Sequence, residues 1–416
     1  MEKIKVGFFG CNIRGQFLAK DFMKNNCEIV AACDNRECVK DAFLKVVGKD
    51  CAWYDNFDAF IEHDMDAVVL TNFFHEHAPY AIKCFEKGIH VYSECISNGT
   101  MGEGVELIRA FEKSTSIYML GENYPQMLFN REMQRICAGG TLGRLLYAEG
   151  EYNHPGDPYN GKQFAIMHDY FEGHWRNYLP RSYYLTHSLG PIMKATGATP
   201  VKVHAFGTYG PVPADAPSAS RVGERAAIIS TYNDDGTVFK FTGCSSFGAH
   251  QSTYRVCGVN GQIENLRGMD GKVMLRYNEW QKPEGAELSS LYTPSWNDRD
   301  EEIVKVSGHG GSDYLTVRIF VESIKEGKQP EFPFDIHSAV TMSSVAILAH
   351  RSILEGGKAF DVPDFHKEED RKLYENDYLS PFPGADGSAP TLPCCTTNPD
   401  YAPSAEQLAK FNEYFK

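Results

Sequence analysis

His187 is the residue of this chain best suited to moving a proton. It stands in "YYLTHSLGP", after Tyr183 and Tyr184 and before Gly190 and Pro191, which read as a sharply positioned segment. An imidazole titrates near neutrality unaided, so it can act as a general base at physiological pH. Tyr184 is a candidate phenolic donor or proton relay, and Glu122 in "YMLGENY" a carboxylate that could orient the imidazole or bind hydroxyls. A base with such partners suits removal of the O–H proton of a secondary alcohol, a reaction that also needs a hydride acceptor. The bland alternatives are a helix-start histidine bonded to backbone, a core tyrosine and a strand-end ion pair.

Other stretches carry chemistry less decisively. "GIHVYSECISNGT" (88–100) ends a strand with Glu94 beside Cys95. Cys95 could be a nucleophile, a metal ligand or a filler. Its reactive form is the thiolate, which a neighbouring carboxylate disfavours, so filler is the preferred reading. "FFHEHAP" places His75 and His77 after a strand, where His77 either meets a cofactor or substrate or starts a helix. Trp175 and Arg176 in "HWRN" offer an apolar ring face and a donor suited to a sugar, although core tryptophans are common. His309 and Asp313 in "GHGGSDY" could complete a pocket. Ligands this dispersed make no metal site, and none is expected.

The elements that would position these residues begin with "IKVGFFG", a compact apolar strand. "CNIRG" follows, then the helical "QFLAKDFMKNN" and the strand "CEIVAACD". Strand, glycine turn, helix and acid-ended strand form the start of a dinucleotide-binding unit, whose helix N-terminus faces a pyrophosphate. The motif is imperfect, because Asn12 takes the place of the middle glycine. Further strands in "DAVVLTNF" and "IHVYSE" alternate with helical stretches and imply a parallel sheet. The turn and the strand ends assign Gly10, Asn12, Ile13, Arg14, Asp34, Asn72, His77 and Glu94 to the cofactor. Asp34 favours NAD over NADP, since a carboxylate repels a 2′-phosphate, while Arg36 pulls the other way.

Beyond residue 124 the pattern becomes antiparallel. "AAIISTYNDDGTVFKFTGCSS" reads as a hairpin around Asp235-Gly236. "DYLTVRIFVESIKEG" and "SAVTMSSVAILAHRSILEG" read as helices, and the Pro/Gly/Ser-rich end as an arm over its own or a neighbouring surface, or a disordered tail. The expected fold class is α/β plus α+β. A Rossmann dinucleotide-binding domain (1–123) precedes a substrate domain (124–385) built on an open-faced, mainly antiparallel sheet, with an extended C-terminal arm (386–416). An open sheet face commonly meets another subunit, so a homo-oligomer is expected.

A length of 416 residues suits two domains, and the net charge of −14 argues against nucleic acid or an anionic membrane as partner. Without a long apolar run or a leader-like start, the expected location is the cytoplasm.

The chain resembles the Gfo/Idh/MocA family of nicotinamide-dependent sugar oxidoreductases through about residue 385. The family's usual Glu-Lys-Pro triplet aligns with Glu94-Cys95-Ile96, so its lysine base is missing. The resemblance is closer to a branch that also lacks this lysine and includes NAD-dependent glycoside hydrolases typified by α-N-acetylgalactosaminidase. "YMLGENY" is similar to its glutamate-bearing strand (Glu122), "EGEYNH" to its tyrosine motif (Tyr152), and "YYLTHSLGP" to its Tyr-x-Thr-His-x-Leu-Gly-Pro motif (Tyr184 and His187). One departure is Leu185, where proline is common.

The resemblance implies NAD as cofactor and His187, Tyr184 and Glu122 as catalytic residues. Tyr152, Trp175, Arg176 and His309 would bind a sugar or glycoside. The function it implies is NAD-dependent oxidation of a ring hydroxyl, at C3, to a keto-glycoside. The alternative is a redox-neutral glycosidase using transient C3 oxidation and elimination across C1–C2. A non-catalytic nucleotide sensor is the third reading.

Overall fold

A computed structural model describes residues 3–156, 179–210, 224–384 and 388–400, with 405, 406 and 409 beyond them. The N-terminal third forms a parallel sheet of β1 (Ile4–Phe9), β2 (Cys27–Cys33), β3 (Ala52–Tyr54), β4 (Ala67–Leu70), β5 (His90–Ser93) and β6 (Tyr118–Leu120). Their spatial order is β3-β2-β1-β4-β5-β6. β4 reads Ala-Val-Val-Leu and is buried throughout, as a strand covered on both faces must be. The chain connects to opposite sides of β1, which opens a crevice at the carboxyl ends of β1 and β4.

The covering helices are α1 (Ile13–Lys24), α2 (Lys40–Val47), α3 (Phe57–Phe60), α4 (His77–Glu86) and α5 (Met101–Phe111). Asn12 caps α1, its side-chain oxygen accepting from Ile13 N at 2.8 Å. Asparagine therefore folds onto its own helix end instead of filling the space a glycine leaves there. Thr100 and Glu103 form a capping box that starts α5 at its residue Met101.

The second sheet has the order β14-β13-β12-β11-β7-β10-β9-β8-β15 among the described residues. Its strands are β7 (Leu145–Asn153), β8 (Pro200–Tyr209), β9 (Glu224–Asn233), β10 (Val238–Thr242), β11 (Gln251–Gly258), β12 (Gly261–Asn265), β13 (Val273–Tyr277), β14 (Ser289–Tyr292) and β15 (Phe360–Asp361). Pairing is antiparallel except between β10 and β7. The expected hairpin joins β9 and β10, with Gly236 at φ 88°.

Helices α6 (Leu128–Ala138), α7 (Thr186–Thr196), α8 (Glu301–Val306), α9 (Ser312–Glu326) and α10 (Ile336–Leu354) follow in the chain. On one face of the sheet lie α7 and α10. The other face carries a row of neighbours, Tyr232, Val238 and Tyr147, beside a row of alternating charge, Lys240, Glu149, Arg255 and Glu264.

Three features refine or alter the sequence expectation. Gly190 and Pro191 lie inside α7. Proline has no N–H to give the carbonyl four residues back, that of His187. Tyr254 of β11 donates its hydroxyl to that carbonyl instead, at 2.6 Å. Second, α9 falls within the span expected for the substrate domain but packs into the first domain's core. Phe320 meets Phe22 and Tyr92 at ring separations of 6.1 and 5.6 Å, and Val317, Val321 and Phe334 join them. An amphipathic helix follows its apolar face, whatever its place in the chain. Third, residues 388–400 of the arm pack on their own chain. Cys394 and Cys395 are buried, and Thr396 donates its N–H and hydroxyl to Glu224.

Candidate active site

The crevice beside β1 is a cleft of about 280 Å³ lined by Phe9, Gly10, Asp34, Arg36, Asn72 and Phe73, among others. Gly10 has φ 95°, and a Cβ there would stand 2.3 Å from the Thr71 carbonyl carbon, so no other residue fits the turn. Asp34 Oδ2 accepts from Cys11 N at 2.8 Å, fixing the turn to the end of β2. Arg36 closes on both Asp34 oxygens at 2.8 Å. Asp34 is therefore held in place at the crevice, with a cation beside it. Asn72 Oδ1 is buried without a hydrogen-bond partner among the described residues, so it is available to a ligand donor. A glycine turn at a helix N-terminus, an acid at the end of β2 and an orphaned amide oxygen together fit a dinucleotide.

Two other expected cofactor residues look inward. Glu94 accepts from Arg14 Nε and, at 3.0 Å, from Cys95 N. Arg14 also reaches Asp313 at 3.1 Å. His77 opens α4, with Nδ1 donating to Ile96 O at 2.7 Å; burial lowers its pKa, so the ring stays neutral.

From Ile96 the contacts run directly to the second site. Cys95 Sγ lies 3.3 Å from Glu122 Oε2, and Glu122 lies 2.8 and 2.9 Å from His187 Nδ1. A carboxylate only accepts, which assigns the proton to Nδ1 and leaves Nε2 with the lone pair. Tyr184 Oη lies 3.2 Å from that Nε2 and donates to it. Burial opposes ionisation of Glu122, but His187 and the hydrogen bonds outweigh it and hold the carboxyl below its usual range. Gly190 makes room for this carboxylate, because a Cβ there would sit 2.9 Å from Glu122 Cγ.

An aromatic box surrounds the imidazole. Tyr124 stacks on it at 4.1 Å and 20°, and Tyr152 meets its edge at 4.9 Å and 83°. Phe74, from the turn after β4, packs edge-on against Tyr184 at 5.4 Å. The box thus touches the dinucleotide crevice through the β4–α4 connection and through Cys95-Ile96.

His309 approaches Tyr124 from elsewhere, with ring centroids 6.1 Å apart. Its Nδ1 lies 2.8 Å from Asp313 Oδ2. Glu122, Tyr152, Tyr184, His187 and His309 therefore form one cluster around Tyr124. Trp175 and Arg176 lie outside the described residues. Tyr124, Asn123 and Tyr254 were not singled out from sequence. Tyr124 could have been, since it follows Glu122 by two residues and its N–H bonds Glu122 Oε1 at 3.0 Å.

Cys95 is buried, with its thiol in donor position to Glu122. Burial first, then the charges of Glu122 and Glu94, push its thiol pKa well up, so no thiolate is available. Cys95→Ser keeps a donor to Glu122 and is expected to retain turnover within about threefold, because the net worth of one such bond is about 1 kcal/mol. Loss of all activity in a steady-state assay of that variant would instead make the thiol a reacting group.

The chain is similar to several known proteins. Residues 225–371 match the model of the glycosyl hydrolase 109 C-terminal domain. A glycosyl hydrolase family 109 protein of Stenotrophomonas maltophilia is 22% identical over 419 residues, spanning 88% of this chain and 89% of its own length. One from Saccharopolyspora erythraea is 24% identical over 423 residues, spanning 94% and 87%. Among solved structures, a levoglucosan dehydrogenase in complex with NADH and levoglucosan superposes with a TM-score of 0.72 at 14% identity, covering 87% of this chain and 100% of its own. A myo-inositol 2-dehydrogenase from Lactobacillus plantarum gives 0.64 at 19% identity, covering 87% and 100%. At these identities the solved structures establish the fold.

Proposed function

We propose that this chain, a Gfo/Idh/MocA-type protein with a glycosyl hydrolase 109 C-terminal domain, is an NAD-dependent oxidoreductase acting on a sugar or glycoside. The observation that carries the reading is the Glu122–His187–Tyr184 cluster, packed against Phe74, whose sequence neighbours Asn72 and Phe73 line the dinucleotide crevice. The relatives' names and the NADH- and sugar-bound neighbours support it.

The Gly10 turn, Asp34 and Asn72 would hold NAD, which would supply the acceptor for a hydride from the carbinol carbon. The chain supplies the rest. His187 Nε2 takes the hydroxyl proton as the carbon–oxygen double bond forms. Glu122 holds Nδ1–H and so balances the imidazolium charge that appears. Tyr184 relays the proton outward. Tyr124 and Tyr152 keep water from the imidazole and give a flat apolar wall to a pyranose. The C3 hydroxyl is the proposed site, because a ketone there can also lead to elimination across C1–C2.

The test is incubation of the protein and NAD with a glycoside panel, read by mass spectrometry. A product two mass units lighter, with its aglycone attached, is the expected result. No change across the panel, with NAD bound, would leave the nucleotide-sensor reading in its place. The outer row of Tyr147, Tyr232 and Val238 further supports pairing of two chains through the open sheet face, and sedimentation should read a dimer.

A further inference from the structure

Among the described residues, the charged groups lining the dinucleotide crevice are Asp34, Asp55, Asp58 and Glu76 against Arg36 and Lys83. Both cations are already taken, since Arg36 closes on Asp34 and Lys83 meets Asp58 at 2.5 Å. Asp55 is exposed and keeps its water. Glu76 is more enclosed. It stands at the N-cap of α4, but its side chain makes no capping bond. Its carbonyl accepts from Asn72 Nδ2 at 3.3 Å, so the carboxyl shares a loop with the orphaned amide oxygen. Its Oε1 lies 3.8 Å from His75 Nε2, but burial lowers the pKa of His75 to about 3 and the ring is neutral. His77 is neutral for the same reason. Tyr80, on the next turn of α4, keeps its proton, because burial and then Glu76 push its pKa up to about 12. From α5, Glu103 brings a second acid. The N–H groups of Gly99 and Thr100 hold its carboxylate at 2.9 and 3.0 Å and oppose the rise that burial gives it. Burial first, then Glu103, push the Glu76 carboxyl up to about 7.

We propose that Glu76 takes up a proton from solvent when the dinucleotide binds, so that the grip on the cofactor is coupled to pH. This rests on the dinucleotide reading of the crevice. A pyrophosphate brings negative charge into a cleft whose own cations are already paired. An ionised Glu76 adds to that charge, and a like charge disfavours ionisation of a half-buried carboxyl. Asp55, open to water, is screened from the same effect. Once protonated, Glu76 also gains an O–H donor, which a carboxylate lacks. By linkage, a group that holds its proton more tightly in the bound state strengthens binding at low pH. Affinity is therefore greatest below the value of the free carboxyl and falls as pH rises past it.

The test is titration calorimetry of NAD into the full chain, run in HEPES and in Tris at one pH. The two buffers give up a proton at different enthalpies, so proton uptake shows as a difference between the two heats. At about pH 7.5 the wild type should take up a sizeable fraction of a proton, and its Kd should rise about tenfold from about pH 6.5 to about 8.5. Glu76→Gln keeps the shape and removes the titration. NAD should still bind to it, with equal heats in both buffers and a Kd that is flat over this range. Glu103→Gln leaves Glu76 in place, keeps a residue type suited to the capping box, and should lower the uptake at the same pH. Equal heats for the wild type overturn the proposal, and so does uptake that survives in Glu76→Gln. In either case NAD still binds and the oxidoreductase reading stands. If NAD binds at no pH in this range, the dinucleotide reading falls and the proposal with it.

Discussion

His187→Ala should lower turnover on the order of 10³-fold while NAD still binds. Among the described residues the imidazole is the group placed to accept a proton beside Tyr184, and its own position is overdetermined. Glu122 fixes Nδ1, Tyr124 covers one face, Tyr152 meets the edge, and Tyr254 holds the backbone carbonyl. None of these contacts reaches the Gly10 turn or Asp34, so nucleotide affinity should survive. Titration calorimetry with NAD beside a glycoside turnover assay separates the two. Near-normal turnover in the variant would remove His187 as the base. Joint loss of turnover and NAD binding would indicate a structural collapse instead.

Glu122→Gln should cost on the order of 10²-fold in kcat. The amide keeps the shape of the carboxylate but can donate to Nδ1, which moves the imidazole proton to Nε2 and blocks the base. It also removes the charge that balances the imidazolium. Glu122→Ala goes further, leaving the Tyr124 N–H, the Cys95 thiol and the His187 N–H short of an acceptor in a buried place, at about 2–4 kcal/mol of stability.

The pH dependence has a definite sign. A carboxyl held below its usual range stabilises the fold above about pH 4.3, the unfolded value, and that stability is lost as pH falls through the depressed folded value. Melting temperature measured from pH 6 to 3 should therefore drop more steeply for the wild type than for Glu122→Gln. Parallel curves would mean that Glu122 is not ionised in the native state.

Local chemistry made much of this legible. Gly10, Asp34 and the alternation of apolar strands with helices prescribe a dinucleotide unit, because a buried parallel strand and a phosphate-facing turn each demand particular residue types. His187 stood out by titration range, and the "THSLGP" likeness supplied its partners. Tyr124, Tyr254 and Asn123 escaped notice because nothing about a tyrosine or an asparagine announces what will stand over it. Their roles arise where β11 and α9 arrive from more than 60 and more than 180 residues away, Tyr254 at His187 and Asp313 at Asn123. Pro191 belongs with them: inside α7 its missing N–H is answered from a distant strand.

The seating of α9 against Phe22 and Tyr92 has a consequence in time. A ribosome releases the chain from its N-terminus, and domains ordinarily fold as they emerge. The nucleotide-binding sheet is complete once Leu120 is made, but Val317, Phe320 and Phe334, which cover one flank of it, follow about two hundred residues later. At about 5–20 residues per second, that flank waits on the order of 10 to 40 s for its cover. During translation the first domain is an apolar surface without its lid, the stage at which this protein most needs a chaperone.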